Sequence, residues 1–261
     1  MPFFHGADSL PERRTAMKNN ELIQDLIDEL NEMKLPMMAS TLENIYRSKD
    51  FNPADGLGML KEIIDNEYQF KMDRRYAEQL KRSHLVGGPQ TMDKCVDSKE
   101  RKYLPDSITS TLGTLDFIAE GLNVCILGPS DSGKTFFAKA LGIHACTKYR
   151  VSYNHCEVLL EELVSLKQED YPKYQKKIRY LIRLDVLILD DFLLHTITDE
   201  REIKVLFEIM EKRSELSRST IVCSQREPKS WASMILNDEV SSNAIMKRAT
   251  KHYTVVIQPK S

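Results

Sequence analysis

Gly128-Pro-Ser-Asp-Ser-Gly-Lys-Thr135 sets two glycines, a lysine and a hydroxyl in the spacing G-x-x-x-x-G-K-[ST]. The glycines let the backbone curl so that successive N–H groups face one point, and a following helix turns its positive end toward it. That chemistry suits a nucleotide phosphate. Gly128, Pro129, Ser130, Asp131, Ser132, Gly133, Lys134, Thr135 and Phe136 form the expected binding loop. In it Lys134 reaches the β- and γ-phosphates and the Thr135 hydroxyl ligates Mg²⁺. The flanks fit, with an apolar strand at 122–127 before the loop and a helical pattern at 133–146 after it. A serine-hydrolase elbow is excluded because Ser130 and Ser132 lack the G-x-S-x-G frame.

Two further strand ends carry polar groups. Asp185-Val-Leu-Ile-Leu-Asp190-Asp191 is an apolar run closing on two acids, and a buried acid is costly unless paired or near a metal. Asp190 is assigned to the Mg²⁺ shell, largely through water, and Asp191 to polarising an attacking water. Asp191 is shorter than the Glu common at such a place, so slow hydrolysis is expected. Thr220-Ile-Val-Cys-Ser224-Gln225 is a third apolar strand. Its carboxyl end would lie beside the phosphate loop in a parallel sheet. There Gln225 would orient the lytic water and sense the γ-phosphate. Ser224 is the second choice for that role, and a plain strand-capping role is the alternative for both.

The elements that must hold these groups follow from the hydrophobic pattern. Strands are expected at 122–127, 150–154, 185–189, 219–223 and 252–258. Helices are expected near 133–146, 157–167, 173–183, 199–216, 228–236 and 240–249. Such alternation predicts an α/β fold, a parallel five-stranded sheet with helices on both faces. Ahead of it, Leu22, Ile23, Leu26, Ile27, Leu30 and Met33 recur with helical period, and two more helices follow Pro36 and Pro53. The expected organisation is a leader at 1–19, a small all-helical N-terminal domain at 20–87, an extended linker at 88–112 and the α/β domain at 113–261.

The 261 residues carry a net charge of −2 and no apolar run long enough for a membrane span. No signal-peptide pattern opens the chain, so a soluble, cytoplasmic protein is expected. The five cysteines are scattered without a CxxC pair, and Cys125 and Cys223, in expected core strands, read as small hydrophobes. His155-Cys156 lacks a second ligand cluster and reads as structural or surface. Charge is polarised. Residues 20–67 hold 11 acidic against 4 basic side chains, 71–82 hold 5 basic against 2 acidic, and 167–183 hold 6 basic against 2 acidic. The basic runs suit a local DNA-facing surface or solvated helix faces equally. The single tryptophan, Trp231, reads as packing.

Residues 20–258 resemble the IstB family, the helper ATPases of insertion-sequence transposition related to DnaC-type helicase loaders within the AAA+ class. The matching stretches are "LNEMKLPMMASTLE", "LGTLDFIAEGLNVCILGPSDSGKT", "VLILDDF", "STIVCSQREPKSW" and "NAIMKRATKHYTVVI". The resemblance implies a P-loop AAA+ three-layer αβα core without a C-terminal lid, and the last expected strand does close near Ser261. It further implies an ATPase that binds ATP and Mg²⁺, assembles as a homo-oligomeric ring or spiral on duplex DNA without sequence preference, and engages the transposase of its element. Arg248 in "NAIMKR" takes the place of an arginine that reaches a neighbouring subunit's γ-phosphate, with Lys247 and Lys251 as alternatives. A replicative helicase loader is the rival reading. A metabolic or nucleotide kinase would need a lid and a substrate-carboxylate site that the sequence does not offer. Gln225 departs from the Asn frequent in such families, and residues 1–19 have no counterpart.

Overall fold

The computed structural model describes residues 10–48, 55–85, 88–235 and 239–259, with side chains from residue 20 onward. The chain divides into two compact units, Met1–Arg75 and Tyr76–Ser261.

The first unit is helical, as expected. Helix α1 (Leu10–Glu32) begins inside the stretch expected as a leader, with Pro11 in its first turn, where a missing N–H costs nothing. Residues 1–9 lie outside the described residues, as does Pro53. Helix α2 (Pro36–Arg47) also starts on a proline, and Leu35 before it offers no side-chain cap. The cap comes from helix α3 (Gly56–Arg82) instead. Glu67 is buried, and its Oε2 accepts hydrogen bonds from the Met37 and Met38 backbone N–H groups at 2.9 and 3.1 Å. A carboxylate at a helix N-terminus satisfies orphan donors and meets the positive end of the dipole. This gives "KLPMMAS" a structural meaning. Leu57, Leu60, Ile64 and Tyr68, spaced three or four apart on α3, are exposed.

The second unit starts earlier than residue 88. Tyr76 and Leu80 at the end of α3 pack on its core, and the Ser83 carbonyl accepts from the Tyr153 N–H at 2.8 Å. The segment expected as a linker carries strand β1 (Arg101–Leu104) and helix α4 (Ile108–Gly113), followed by helix α5 (Asp116–Ala119). Then come β2 (Val124–Leu127), α6 (Lys134–Ala145), β3 (Val151–His155), α7 (Cys156–Glu169), α8 (Tyr171–Arg183), β4 (Val186–Asp190), α9 (Glu200–Glu215), β5 (Ser219–Ser224), α10 (Glu239–Thr250) and β6 (Tyr253–Pro259). Residues 228–236, expected as a helix, form a 3₁₀ turn over Pro228–Met234.

The sheet has six strands in the order β1-β6-β2-β5-β4-β3. Five are parallel, as expected, and β1 adds an antiparallel edge against β6. That strand escapes the sequence pattern because an edge strand buries little; of Arg101-Lys-Tyr-Leu104 only Tyr103 is buried. One face of the sheet, with Val124, Ile126, Ile188, Ile221 and Val255, is covered by α6 and residues of α4 and α5. The other, with Cys125, Leu187, Leu189 and Val222, is covered by α7 to α10. This is the three-layer αβα arrangement. All five cysteines are free and buried, and burial pushes Cys125 and Cys156 up to about 12. Trp231 is buried edge-on against Phe192, with its Nε1 donating to the Arg226 carbonyl.

Arg213, on the last turn of α9, is fully buried. Its guanidinium donates to the carbonyls of Leu181, Leu184 and Ser219 and to the Thr220 hydroxyl, tying the end of α8 to the start of β5. Arg213→Ala would strand these buried acceptors, at about 1–3 kcal/mol for each left unpaired. We expect the variant to lose about 3 kcal/mol or more in urea unfolding followed by the fluorescence of Trp231, which reports the second unit. A shift below 1 kcal/mol would mean that water or repacking satisfies the acceptors.

Candidate nucleotide site

The phosphate loop joins β2 to α6 and needs its glycines for space. A Cβ on Gly128 would come within 2.6 Å of the Ile257 carbonyl oxygen and of Ser132 Oγ, and one on Gly133 (φ +100°) within 2.4 Å of Arg101 Nη1. Lys134 is the first residue of α6 and is buried; its Nζ donates to the Pro129 carbonyl at 2.6 Å. Burial lowers its pKa, opposed by nearby Cys223, Asp190, Asp191 and Asp131. Ser132 Oγ is buried without a hydrogen-bond partner. A desolvated ammonium and an orphan hydroxyl inside one loop are costs that an anionic ligand would offset.

A cavity of about 360 Å³ is lined by Ser130, Asp131, Gly133, Lys134, Thr135, Asp191 and Gln225. The parallel register brings these groups together, because the carboxyl ends of β2, β4 and β5 lie at the same edge. Gly128, Pro129 and Gln225 also border a neighbouring groove with Pro228, Ile257 and Pro259.

The two acids face different ways. Asp190 is buried; its Oδ2 accepts from the Tyr153 hydroxyl at 2.6 Å and its Oδ1 from the Asp191 N–H at 3.0 Å. Burial, then the bond to Asp190, raises the Tyr153 pKa, so the phenol stays the donor. Asp191 turns into the cavity on a left-handed backbone (φ +52°), with its Oδ2 3.4 Å from His155 Nδ1. A non-glycine residue held at positive φ stores strain of the kind found at working sites. For Mg²⁺ the residues fit in a limited way. Among the described residues no three His, Cys, Asp or Glu side chains gather into a metal cluster. Were Mg²⁺ bound with a nucleotide, the Thr135 hydroxyl could hold it, and Asp190, whose oxygens each already accept one protein hydrogen bond, could meet it through water.

At the end of β5, Gln225 is exposed at the cavity wall, whereas Ser224 is buried and its Oγ accepts from the Arg226 N–H at 3.2 Å. Ser224 is thereby committed to its own turn. Arg248 is not brought to the cavity. Its carbonyl accepts from Asn123 Nδ2 at 2.8 Å, and Asn123 precedes β2 whereas the loop follows it, so a strand of about 13 Å intervenes. The Arg248 guanidinium pairs with Glu211 on α9 beside the Phe207 ring.

Sequence reasoning missed Tyr153, His155 and Arg101. The first two are on β3, which pairs with β4 so that His155 stands opposite Asp190. The signal was a polar strand end beside an acidic one, visible only once the two strands are known to be neighbours.

Residues 28–261 match the family described as IstB-like ATP binding protein. The ATP-binding protein named for insertion sequence IS1162 of Pseudomonas fluorescens is 30% identical over 78% of this chain and 87% of its own length. The one named for IS232 of Bacillus thuringiensis is 29% identical over 92% and 93%. Among solved structures, AMPPCP-bound DnaA from Aquifex aeolicus superposes with a TM-score of 0.53 at 20% identity, over 66% of this chain and 51% of that one. The DnaC helicase loader superposes with a TM-score of 0.50 at 19% identity, over 64% and 96%. This chain thus spans only about half of the DnaA chain, and both likenesses concern the fold alone, its three-layer αβα core. The match over residues 28–261 places the chain in the family of IstB-like ATP-binding proteins.

Proposed function

We propose that this protein is an ATP-hydrolysing regulator of transposition that assembles on duplex DNA and engages a transposase. The observation that carries the reading is the cavity in which the phosphate loop, Asp191 and Gln225 meet. The loop's N–H groups and Lys134 bind the phosphates, and Thr135 holds the metal edge. Mg²⁺, when bound, supplies neutralisation of phosphate charge. Asp191 takes the proton of the attacking water, and Gln225 orients that water. Tyr153 fixes the Asp190 carboxylate in its rotamer, and His155 steadies Asp191 on its strained turn. Water and ATP then give ADP and phosphate.

DNA binding is supported by α8, whose Lys176, Arg179 and Arg183 are exposed along with Tyr180, while Lys173 pairs with Asp170 and Lys177 with Glu162. In the run at 71–82, Lys71 pairs with Glu67 and Arg82 with Glu78. The exposed apolar stripe of α3 supports a protein partner, here the transposase. That the relatives are named for insertion sequences ranks this reading above the helicase loader. No described helix is long and apolar enough to cross a membrane.

Arg248 sits at the far end of the sheet from its own phosphate loop, which supports action on a neighbouring subunit, once Glu211 releases it. A trans arginine neutralises phosphate charge only when the neighbour is docked, so hydrolysis would follow assembly.

Three outcomes are expected. By calorimetry, Lys134→Ala should bind ATP at least about tenfold more weakly, whereas Asp191→Asn should keep its affinity and lose about a hundredfold or more in turnover; unchanged affinity in the first variant would remove the phosphate-loop assignment. Duplex affinity should fall roughly a thousandfold between about 50 and 200 mM salt, with little dependence on sequence, and a salt-insensitive complex would sink the phosphate-contact reading. Arg248→Ala should bind ATP but hydrolyse it poorly, and mixing it with Lys134→Ala should recover activity. Mixed variants that co-assemble and stay inactive would return Arg248 to a structural pair with Glu211.

A further inference from the structure

Arg101 lies on β1, a strand outside the motif-bearing elements, yet the register carries it to the phosphate loop. Leu127, the last residue of β2, pairs with Val256, and β6 runs on through Pro259, opposite which Arg101 stands. The guanidinium reaches Gly133, where even a methyl group would collide with Nη1.

Its charge is not neutralised. Among the described residues no carboxylate pairs with Arg101. Its buried neighbours are neutral, since burial raises the Tyr103 phenol and pushes the Cys95 thiol up to about 11. The Tyr103 hydroxyl lies beside the guanidinium without a well-formed hydrogen bond, and Asp97 is engaged by the Tyr103 N–H at 2.9 Å. A half-buried guanidinium with no paired carboxylate, set against a loop whose lysine is already desolvated, is a donor set that an anion would complete.

The strand order says which part of the anion. β5 and β4, which bring Gln225 and Asp191, lie on one side of β2; β6 and β1 lie on the other. The end of the nucleotide that is hydrolysed belongs with Asp191 and Gln225. We propose that Arg101 binds the opposite portion of the nucleotide, the α-phosphate and its nucleoside end, which ATP and ADP share. This rests on the nucleotide reading of the phosphate loop and adds a ligand from outside it.

The test is calorimetry of the full chain with ATP and with ADP, each with Mg²⁺, for the parent, Arg101→Ala, Arg101→Lys and Lys134→Ala. Arg101→Ala should weaken both nucleotides by a similar factor of about ten or more, and Arg101→Lys should recover part of the loss. The melting temperature of Arg101→Ala without nucleotide should equal the parent's, because no ion pair is removed. Unchanged affinities for both nucleotides, or a loss confined to ATP, would overturn the assignment. So would a melting temperature that falls in step with affinity. A parent that binds neither nucleotide would remove the underlying nucleotide reading, whereas loss in Lys134→Ala with none in Arg101→Ala would remove only the role of Arg101.

Discussion

The central strands β2, β4 and β5 are buried on both faces, and a strand in that position has no room for polar side chains along its length. Polar groups are therefore displaced to the strand ends, and because these strands are parallel, like ends meet. Everything chemical in the second unit follows from that constraint. At the carboxyl ends stand the phosphate loop, the Asp190–Asp191 pair and Gln225. At the amino ends stand Asn123, Asp185 and the start of β5, where Arg213 is sunk. The αβα layering excludes water from the strands and leaves it access at their ends.

This explains which parts of the molecule were legible in the sequence. Apolar runs that close on glycines, acids or amides identified all five parallel strands and placed Lys134, Asp191 and Gln225 at one edge. The edge strand β1 was not legible, because one buried tyrosine in four residues makes no pattern. Nor was the extent of α3, whose last turns belong to the α/β unit through Tyr76 and Leu80, an affinity that only packing reveals. Long-range polar partners were invisible for a related reason. Glu67 caps a helix thirty residues earlier in the chain, Arg213 finds acceptors on two other elements, and Tyr153 meets Asp190 across a strand pairing. Each of these side chains reads locally as an ordinary surface residue of a helix or strand.

The division of labour between Asp190 and Asp191 comes from backbone geometry. Along β4 side chains alternate between faces, and Asp190, the last strand residue, points into the layer where Tyr153 can reach it. The chain then leaves the strand through a left-handed residue, which swings the next carboxylate out to the cavity and toward His155. Two adjacent acids of one type thus acquire different duties. One is immobilised by a phenol and an amide; the other is half-exposed, strained and free to meet a small molecule.

The two ends of the sheet also differ in how their charges are balanced, and this difference locates function better than any motif alone. At the amino end Asp185 is partly buried, which disfavours its ionisation, yet hydrogen bonds from Arg150 and the charges of Arg150 and Arg218 together hold its carboxyl below the usual value. Arg213 has hydrogen-bond acceptors but no paired carboxylate, and burial lowers its pKa to about 9; Arg248 has Glu211. At the carboxyl end the ledger is open: a desolvated Lys134 rests on a neutral carbonyl, Ser132 Oγ has no partner, Arg101 lacks a paired carboxylate among the described residues and Asp191 is strained. Unmatched donors therefore gather beside the loop, with the Asp191 carboxylate beyond them, an arrangement that a phosphate would complete.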